Sequence, residues 1–292
     1  MVTANPAAFK TRFPIYQKGI YQTDILKDLF GSGIFSTDGE NWKFQRQVAS
    51  HEFNTTSLRK FIETVVDAEL SDKLIPILSD AANNQTVLNL QDILQRFAFD
   101  NICNISFGYD PEYLTPSLSE SKFATAFDDA QKKQEMMLNS KEISSSETED
   151  LLTRFLKSGH SDEKFVSDIV ISFLLAGRDS TSAASTWFFW LLHKNKQVET
   201  EIVREINKNK GKQVKTTEHS SVYEDVKDMV YIHAALCESM RLYPPVTKEA
   251  TKDDVLPDGT LVKKGMMVTY YPYAMGRMKT LWGPDWAEFR PG

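Results

Sequence analysis

Apolar residues recur at helical spacing along most of the chain, while β-like stretches are short and lie near its two ends. This pattern predicts a mainly α fold with a small β-sheet region. Asp38-Gly39 precedes a helical segment from Trp42 through Phe53, and Thr55 to Ser57 offers a break before a second one from Leu58 to about Leu78. Leu88 to Phe107 reads as a further helix, closed by Gly108 and by the Pro111 to Pro116 region, where backbone donors are lost. Gln131 to Glu149 is polar, lacks aromatic residues and carries three consecutive serines, so it reads as a solvated junction. A charged loop is expected over roughly Lys208 to Ser221, and a turn at Pro257-Asp258-Gly259 between short β-like pieces.

The most informative segment starts at Ser161, a good N-cap followed by Asp162 and Glu163, whose charges suit the positive end of a helix dipole. From there a helix predicted to reach Leu192 would be about 45 Å long. It is apolar on most faces, which points to the interior and makes Arg178, Asp179, Ser180, Thr181 and Ser182 costly unless they are satisfied. Gly177 lies at the same place. A glycine inside a helix costs about 1 kcal/mol relative to alanine but lets another group approach the backbone. That group is either a neighbouring helix or a planar cofactor, and the residue alone does not choose between them.

Composition narrows the function. The chain has 292 residues, 41% of them hydrophobic, and its 34 basic and 40 acidic residues give a formal charge of -6. That size allows a large buried core. The charge argues against a broad basic face held to nucleic acid. With two cysteines, Cys103 and Cys237, neither a disulfide framework nor a multi-cysteine zinc site is credible, and both are expected to pack as small hydrophobes. No apolar run reaches the roughly 18 residues a membrane span requires. There is no G-x-S-x-G elbow, no H-E-x-x-H pair and no ligand spacing among the five histidines, so hydrolase and zinc-enzyme readings lack a site.

Three residue pairs carry more chemistry. Trp42 and Arg46, at i and i+4, set an indole N–H and a guanidinium on one helix face, able to grip a carboxylate; the plain alternative is a core tryptophan beside an exposed arginine. Asp179 and Ser180 put an acid beside an alcohol within the long helix. Glu238 and Arg241, at i and i+3 just before Tyr243-Pro244-Pro245, form either a surface ion pair or, given Ala234, Ala235, Leu236 and Met240 around them, a partly buried one.

In order along the chain, WKFQR, AGRDST, ESMR with RLYPPV, YAMGR and WAEFRP resemble the successive signature segments of a cytochrome P-450, a haem-thiolate monooxygenase. The resemblance spans Ala4 to Pro291. The wording of GIFSTDGENWKFQRQVAS and FLLAGRDSTSAASTWFFWLL is most similar to plant fatty-acid ω-hydroxylases and their jasmonate-conjugate oxidising relatives. The resemblance implies a single, partial cytochrome P-450 domain over residues 1–292, with the 130–150 junction standing where the family has pocket-roof helices. It implies haem lying against Ala176 and Gly177 with a propionate held by Trp42 and Arg46. Asp179 and Ser180 would help deliver protons to bound dioxygen, Ser180 standing where threonine is usual. Glu238 and Arg241 would be a structural pair, and Ile34, Phe35, Leu174, Ala176 and Val246 would line the substrate pocket.

The same resemblance implies electrons from NADPH through NADPH-cytochrome P-450 reductase, an apolar carboxylate such as a fatty acid as substrate, and an endoplasmic reticulum location through an N-terminal anchor. The family's cysteine loop would follow WAEFRP, beyond Gly292, so residues 1–292 are expected to lack the iron's thiolate ligand and to be inactive alone. Two readings follow: part of a membrane-associated hydroxylase, or a non-catalytic fragment without haem.

Overall fold

The computed structural model describes residues 18, 23–24, 26–27, 30–53, 56–116, 163–213, 226–244, 254–255, 261–262 and 272–291. Helix α1 spans Gly39–Phe53, α2 Thr56–Glu69, α3 Ile75–Asn83, α4 Leu90–Phe107, α5 Glu163–Lys194, α6 Lys196–Gln213 and α7 Val230–Leu242. A two-residue antiparallel pair, β1 (Asp254–Val255) and β2 (Leu261–Val262), pairs Asp254 with Val262 and Val255 with Leu261. Short helices α8 (Pro272–Met275) and α9 (Lys279–Trp282) follow. The expected α-rich architecture with minor sheet is what forms. The polar junction, the Pro257 turn and Val246 lie outside the described residues.

Local chemistry explains the boundaries. Asn89 caps α4 by accepting from the Asp92 amide at 3.3 Å, and Gly108, at φ 64°, closes it in the left-handed conformation with its amide on Asn104 O. Between α2 and α3 the predicted single helix instead passes through a π turn, Leu70–Leu74. Pro76, in the first turn of α3, supplies no amide hydrogen and its ring crowds the preceding turn, and the wider turn just before it accommodates both effects. Helix α6 runs to Gln213, so Lys208 to Gln213 is helical rather than part of a loop: Val198, Ile202 and Ile206 pack on the core and the polar end continues their helix.

The core is built on α5. Val166 and Leu174 pack with Phe99, Cys103 and Phe107 of α4, and Ile169 packs with Ala49 of α1. Its C-terminal end joins Phe188 and Leu191 to Val198 and Ile202 of α6, Ala235 and Leu242 of α7, and Phe289. Helix α6 also caps α7, the Glu205 carboxylate accepting from the amides of Tyr231 and Ile232 at 3.0 and 2.9 Å.

Two polar clusters tie distant segments together. Arg241 and Glu238 form a two-pronged pair, both N···O distances 2.7 Å, with side chains only 8% and 15% exposed. Arg241 also donates to the carbonyls of Gly276, Trp286 (3.0 Å) and Glu288 (3.1 Å), and the Arg290 amide donates to Glu238 at 3.2 Å. The pair is therefore a buried hub fixing the terminal segment, and the surface-pair alternative is set aside.

The second cluster was not foreseen. Lys73 lies 2.7 Å from Glu69, 2.5 Å from Asp110 and 3.6 Å from Asp100, whose carboxylate also accepts from the Tyr113 and Leu114 amides. Burial raises the Glu69 carboxyl from 4.5 to about 7, with Lys73 pulling the other way and Asp110 adding to the rise. Burial likewise lifts Asp100 from 3.8 to about 6, against the Leu114 amide and Lys73. For Lys73 burial acts downward, but its hydrogen bonds to Asp110 and Glu69 outweigh it and hold the ammonium firmly charged.

Both raised carboxyls bind protons in the folded state that the unfolded chain has already released. Their stabilising contribution is complete below about pH 4 and is lost as pH rises through about 6 for Asp100 and about 7 for Glu69. Denaturant unfolding from pH 4.5 to 8 should show this decline, and Glu69→Gln should flatten it; an identical slope in the variant would contradict the assignment. At the other cluster, Glu238→Ala leaves a buried guanidinium unpaired and should cost about 3–5 kcal/mol in the same assay. A loss below about 1 kcal/mol, the value of an exposed pair, would show that the hub is not what holds the terminal segment.

Candidate functional site

Helix α1 is seated by its own periodicity. Trp42, Gln45, Arg46 and Ala49 share one face, and from that face Gln45 and Ala49 are buried while Trp42 is half-buried and Arg46 exposed. Ala49 packs with Ile169 of α5, and the Phe44 ring lies 6.3 Å from that of Phe165. Of the face that carries the indole and guanidinium, Ala49 is the residue that reaches α5, while Phe44 reaches it from the other side of α1 and Arg46 stays exposed. Lys18 adds a cation that the sequence did not reveal: its Nζ lies 5.8 Å from the Trp42 ring centroid and donates to Thr37 O at 2.7 Å. No spacing signal links Lys18 to Trp42, because the two are 24 residues apart in the chain.

On α5, Phe165, Ile169, Ala176 and Ser180 fall along one stripe by helical period, with Asp179 at its edge. Ile169, the residue meeting α1, precedes Ala176 by seven residues, about 10 Å along the axis. Ala176 and Ser180 are half-buried, and the Asp179 side chain is 53% exposed. Arg178 is far more enclosed at 14% and lies 3.4 Å from Asp179. Burial lowers the Arg178 pKa and the Asp179 charge partly restores it. Of the hydroxyls that looked costly inside a helix, two are satisfied by the helix itself, Ser180 donating to Ala176 O and Ser182 to Asp179 O at 3.3 Å, and Thr181 is exposed.

Two expected site residues face elsewhere. A Cβ on Gly177 would lie 2.6 Å from Cγ1 of Ile102, so the glycine is required by the crossing of α4 over α5. Leu174, 4% exposed, belongs to the core shared with Phe99 and Cys103, which turns it away from a pocket wall. Ile34 and Phe35 are half-buried in the turn before α1, the Phe35 ring 5.5 Å from that of Phe30.

The cysteines differ from each other. Cys103 is fully buried, burial pushing its thiol well above the ordinary range, as expected for a packing residue. Cys237 is exposed on α7, 3.8 Å from Nδ1 of His233, which corrects the expectation that it packs: Ala235, Ser239 and Leu242 are the residues that α7 buries. Neither thiol lies on the α1 or α5 stripe.

The donors and the small-residue stripe fit a flat, anionic-edged group: an indole and a guanidinium on α1, and Ala176 with Ser180 on α5. No helix among the described residues is long and apolar enough to cross a membrane. Comparison with known proteins agrees with the chemistry. Cytochrome P450 94A1 of Vicia sativa is 54% identical over 344 positions, covering 100% of this chain and 65% of that relative. Cytochrome P450 94A2 of Vicia sativa is 54% identical, with 99% and 65% covered, and cytochrome P450 94B1 of Arabidopsis thaliana 42% identical, with 100% and 65% covered. The chain therefore spans 65% of the length of these curated relatives. Matches to the cytochrome P450 family itself cover residues 17–140 and 113–292, and the chain belongs to that family.

Proposed function

We propose that residues 1–292 form the haem-edge and oxygen-side part of a monooxygenase that hydroxylates a fatty acid or similar acyl carboxylate at or near its far end. The observation that carries this reading is the contact of α1 with α5: Ala49, which shares a face of α1 with Trp42 and Arg46, packs with Ile169, and the α5 stripe continues from there, seven residues on, to Ala176 and Ser180. In this reading Trp42 Nε1 and the Arg46 guanidinium donate charge-assisted hydrogen bonds to a haem propionate. Haem, when bound, supplies the activation of dioxygen. Asp179, open to solvent, takes protons from water and passes them to the Ser180 hydroxyl, whose oxygen can accept while it donates to Ala176 O. Ile34 and Phe35, half-buried in the turn before α1, form an apolar wall that excludes water from the substrate chain.

Electrons come from NADPH through a cytochrome P-450 reductase, and the complete protein works at the endoplasmic reticulum membrane. The iron's thiolate is assigned to no residue of this chain. Cys103 is sealed in the core and Cys237 stands beside His233, which favours, for residues 1–292 alone, the second reading of a non-catalytic fragment.

Haem titration followed by absorbance tests the assignment. Arg46→Ala and Trp42→Ala should each weaken haem uptake about tenfold or more, the value of a hydrogen bond to a charged group; unchanged uptake in both would remove the propionate site. With carbon monoxide, the reduced haem-loaded chain should show no thiolate-type band. A clear band would overturn the exclusion of Cys103 and Cys237.

A further inference from the structure

Ahead of α1 lies a turn, Gly31 to Ser36, held by buried polar groups from two helices. The backbone of Ser32 is gripped at both of its polar atoms: its amide donates to Asp168 of α5 at 2.7 Å, and its carbonyl accepts from Gln45 of α1 at 2.8 Å. Asp168 is 7% exposed and Gln45 2%. Ser36, 2% exposed, donates back to Gly31 O at 2.6 Å and Gly33 O at 3.1 Å. Ser172, fully buried, donates to Asp168 O at 2.8 Å.

The two glycines make this approach possible. Gly31 adopts φ +50°, and a Cβ there would lie 2.1 Å from Asp168 Oδ1. A Cβ on Gly33 would lie 2.3 Å from Ser172 Oγ and 2.6 Å from the Asp168 carbonyl oxygen, a backbone atom that no rotamer change can move aside. The turn therefore sits flush on α5. Apolar contacts alone would let it slide, whereas a buried carboxylate and a buried amide on the two peptides flanking one α-carbon fix its register.

The position of Asp168 gives the clasp a use. Asp168 and Asp179 are eleven residues apart on one unbroken helix, which is three turns with about 20° of residual rotation and about 16 Å of rise. The clasped turn and the oxygen-side acid thus lie on the same side of one rod. Ile34 and Phe35 follow directly from the clasped peptide.

We infer that Asp168 and Gln45 are positioning residues for substrate length: they set the distance between the Ile34–Phe35 wall and the Asp179–Ser180 end of the site, and so select among acyl chains by carbon number. This deepens the hydroxylase reading and rests on it. Neither residue touches the substrate. They act through the turn they hold.

The test pairs two readouts on the haem-loaded chain: hydrogen exchange of the segment 31–36, and the affinities of saturated fatty acids of graded length, measured by displacement of a fluorescent fatty acid. Asp168→Ala should speed exchange of the segment about tenfold or more, the loss expected for one charge-assisted bond, and should flatten the dependence of affinity on chain length. Asp168→Asn, which keeps an acceptor oxygen, should restore most of both. If Asp168→Ala fails to fold, Asp168→Asn compared with Gln45→Leu carries the test, only the second losing the grip on the Ser32 carbonyl. Faster exchange with an unchanged length profile overturns the positioning role, and unchanged exchange overturns the clasp. An unsubstituted chain whose segment is protected but which binds no fatty acid of any length overturns the hydroxylase reading and this inference with it, and that pattern is distinct from the other two.

Discussion

Everything in this fold hangs on how closely α4 can approach α5. At the crossing, Ile102 occupies the space a side chain at position 177 would need, and Phe99, Cys103, Val166 and Leu174 close around the contact. Glycine's cost of about 1 kcal/mol in a helix interior is small beside the roughly 1.5–3 kcal/mol gained by fully burying each large apolar side chain. Because α4 takes the Leu174 and Gly177 side of α5, a separate face remains for α1, and it is there that Ile169 meets Ala49. The stripe through Ala176 and Ser180 continues that face. One close helix crossing thereby decides which side of α5 is core and which side is left for chemistry.

Charged groups then pin what apolar packing leaves loose. Arg241 spends its whole donor fork on Glu238 and on carbonyls from Gly276 to Glu288, so a segment with little regular structure is fixed by one side chain. Its guanidinium also lies 4.7 Å from the Trp282 ring centroid, and Arg277 stands over Tyr273 and Tyr243 in the same way. Lys73 does the corresponding work in the first half of the chain, joining the π turn to α4 and to the residues after it. Burial of the carboxylates gathered around that single ammonium is what makes this tie sensitive to pH.

Much of this was legible in the chain because it is local. The extent of α5 and the closure of α4 at Gly108 are written in residues a few positions apart and form where periodicity places them, whereas α4 starts at Leu90 behind its Asn89 cap and not at Leu88. The pairs Trp42 with Arg46 and Glu238 with Arg241 were visible as spacings, but their burial was not: the hub around Arg241 draws on carbonyls more than thirty residues away. Gly177 shows the limit of a motif, since the same residue satisfies a cofactor notch and a helix crossing, and only Ile102 opposite it decides what its missing side chain is for. Lys73 with Asp100, and Asp168 with Ser32, join residues 27 and 136 positions apart, and no pattern in one sequence carries such contacts. The π turn was hidden for another reason: Pro76 signals a disturbance without saying whether the helix will break or widen.

The central claim is that one flat cofactor lies between the Trp42 and Arg46 face of α1 and the Ala176 and Ser180 stripe of α5. A crystal structure of the haem-loaded chain tests it most directly. Density for the porphyrin against Ala176, with a propionate on the Trp42 indole and the Arg46 guanidinium, is the predicted result. Haem seated anywhere else, or seated there with neither Trp42 nor Arg46 on a propionate, would contradict it.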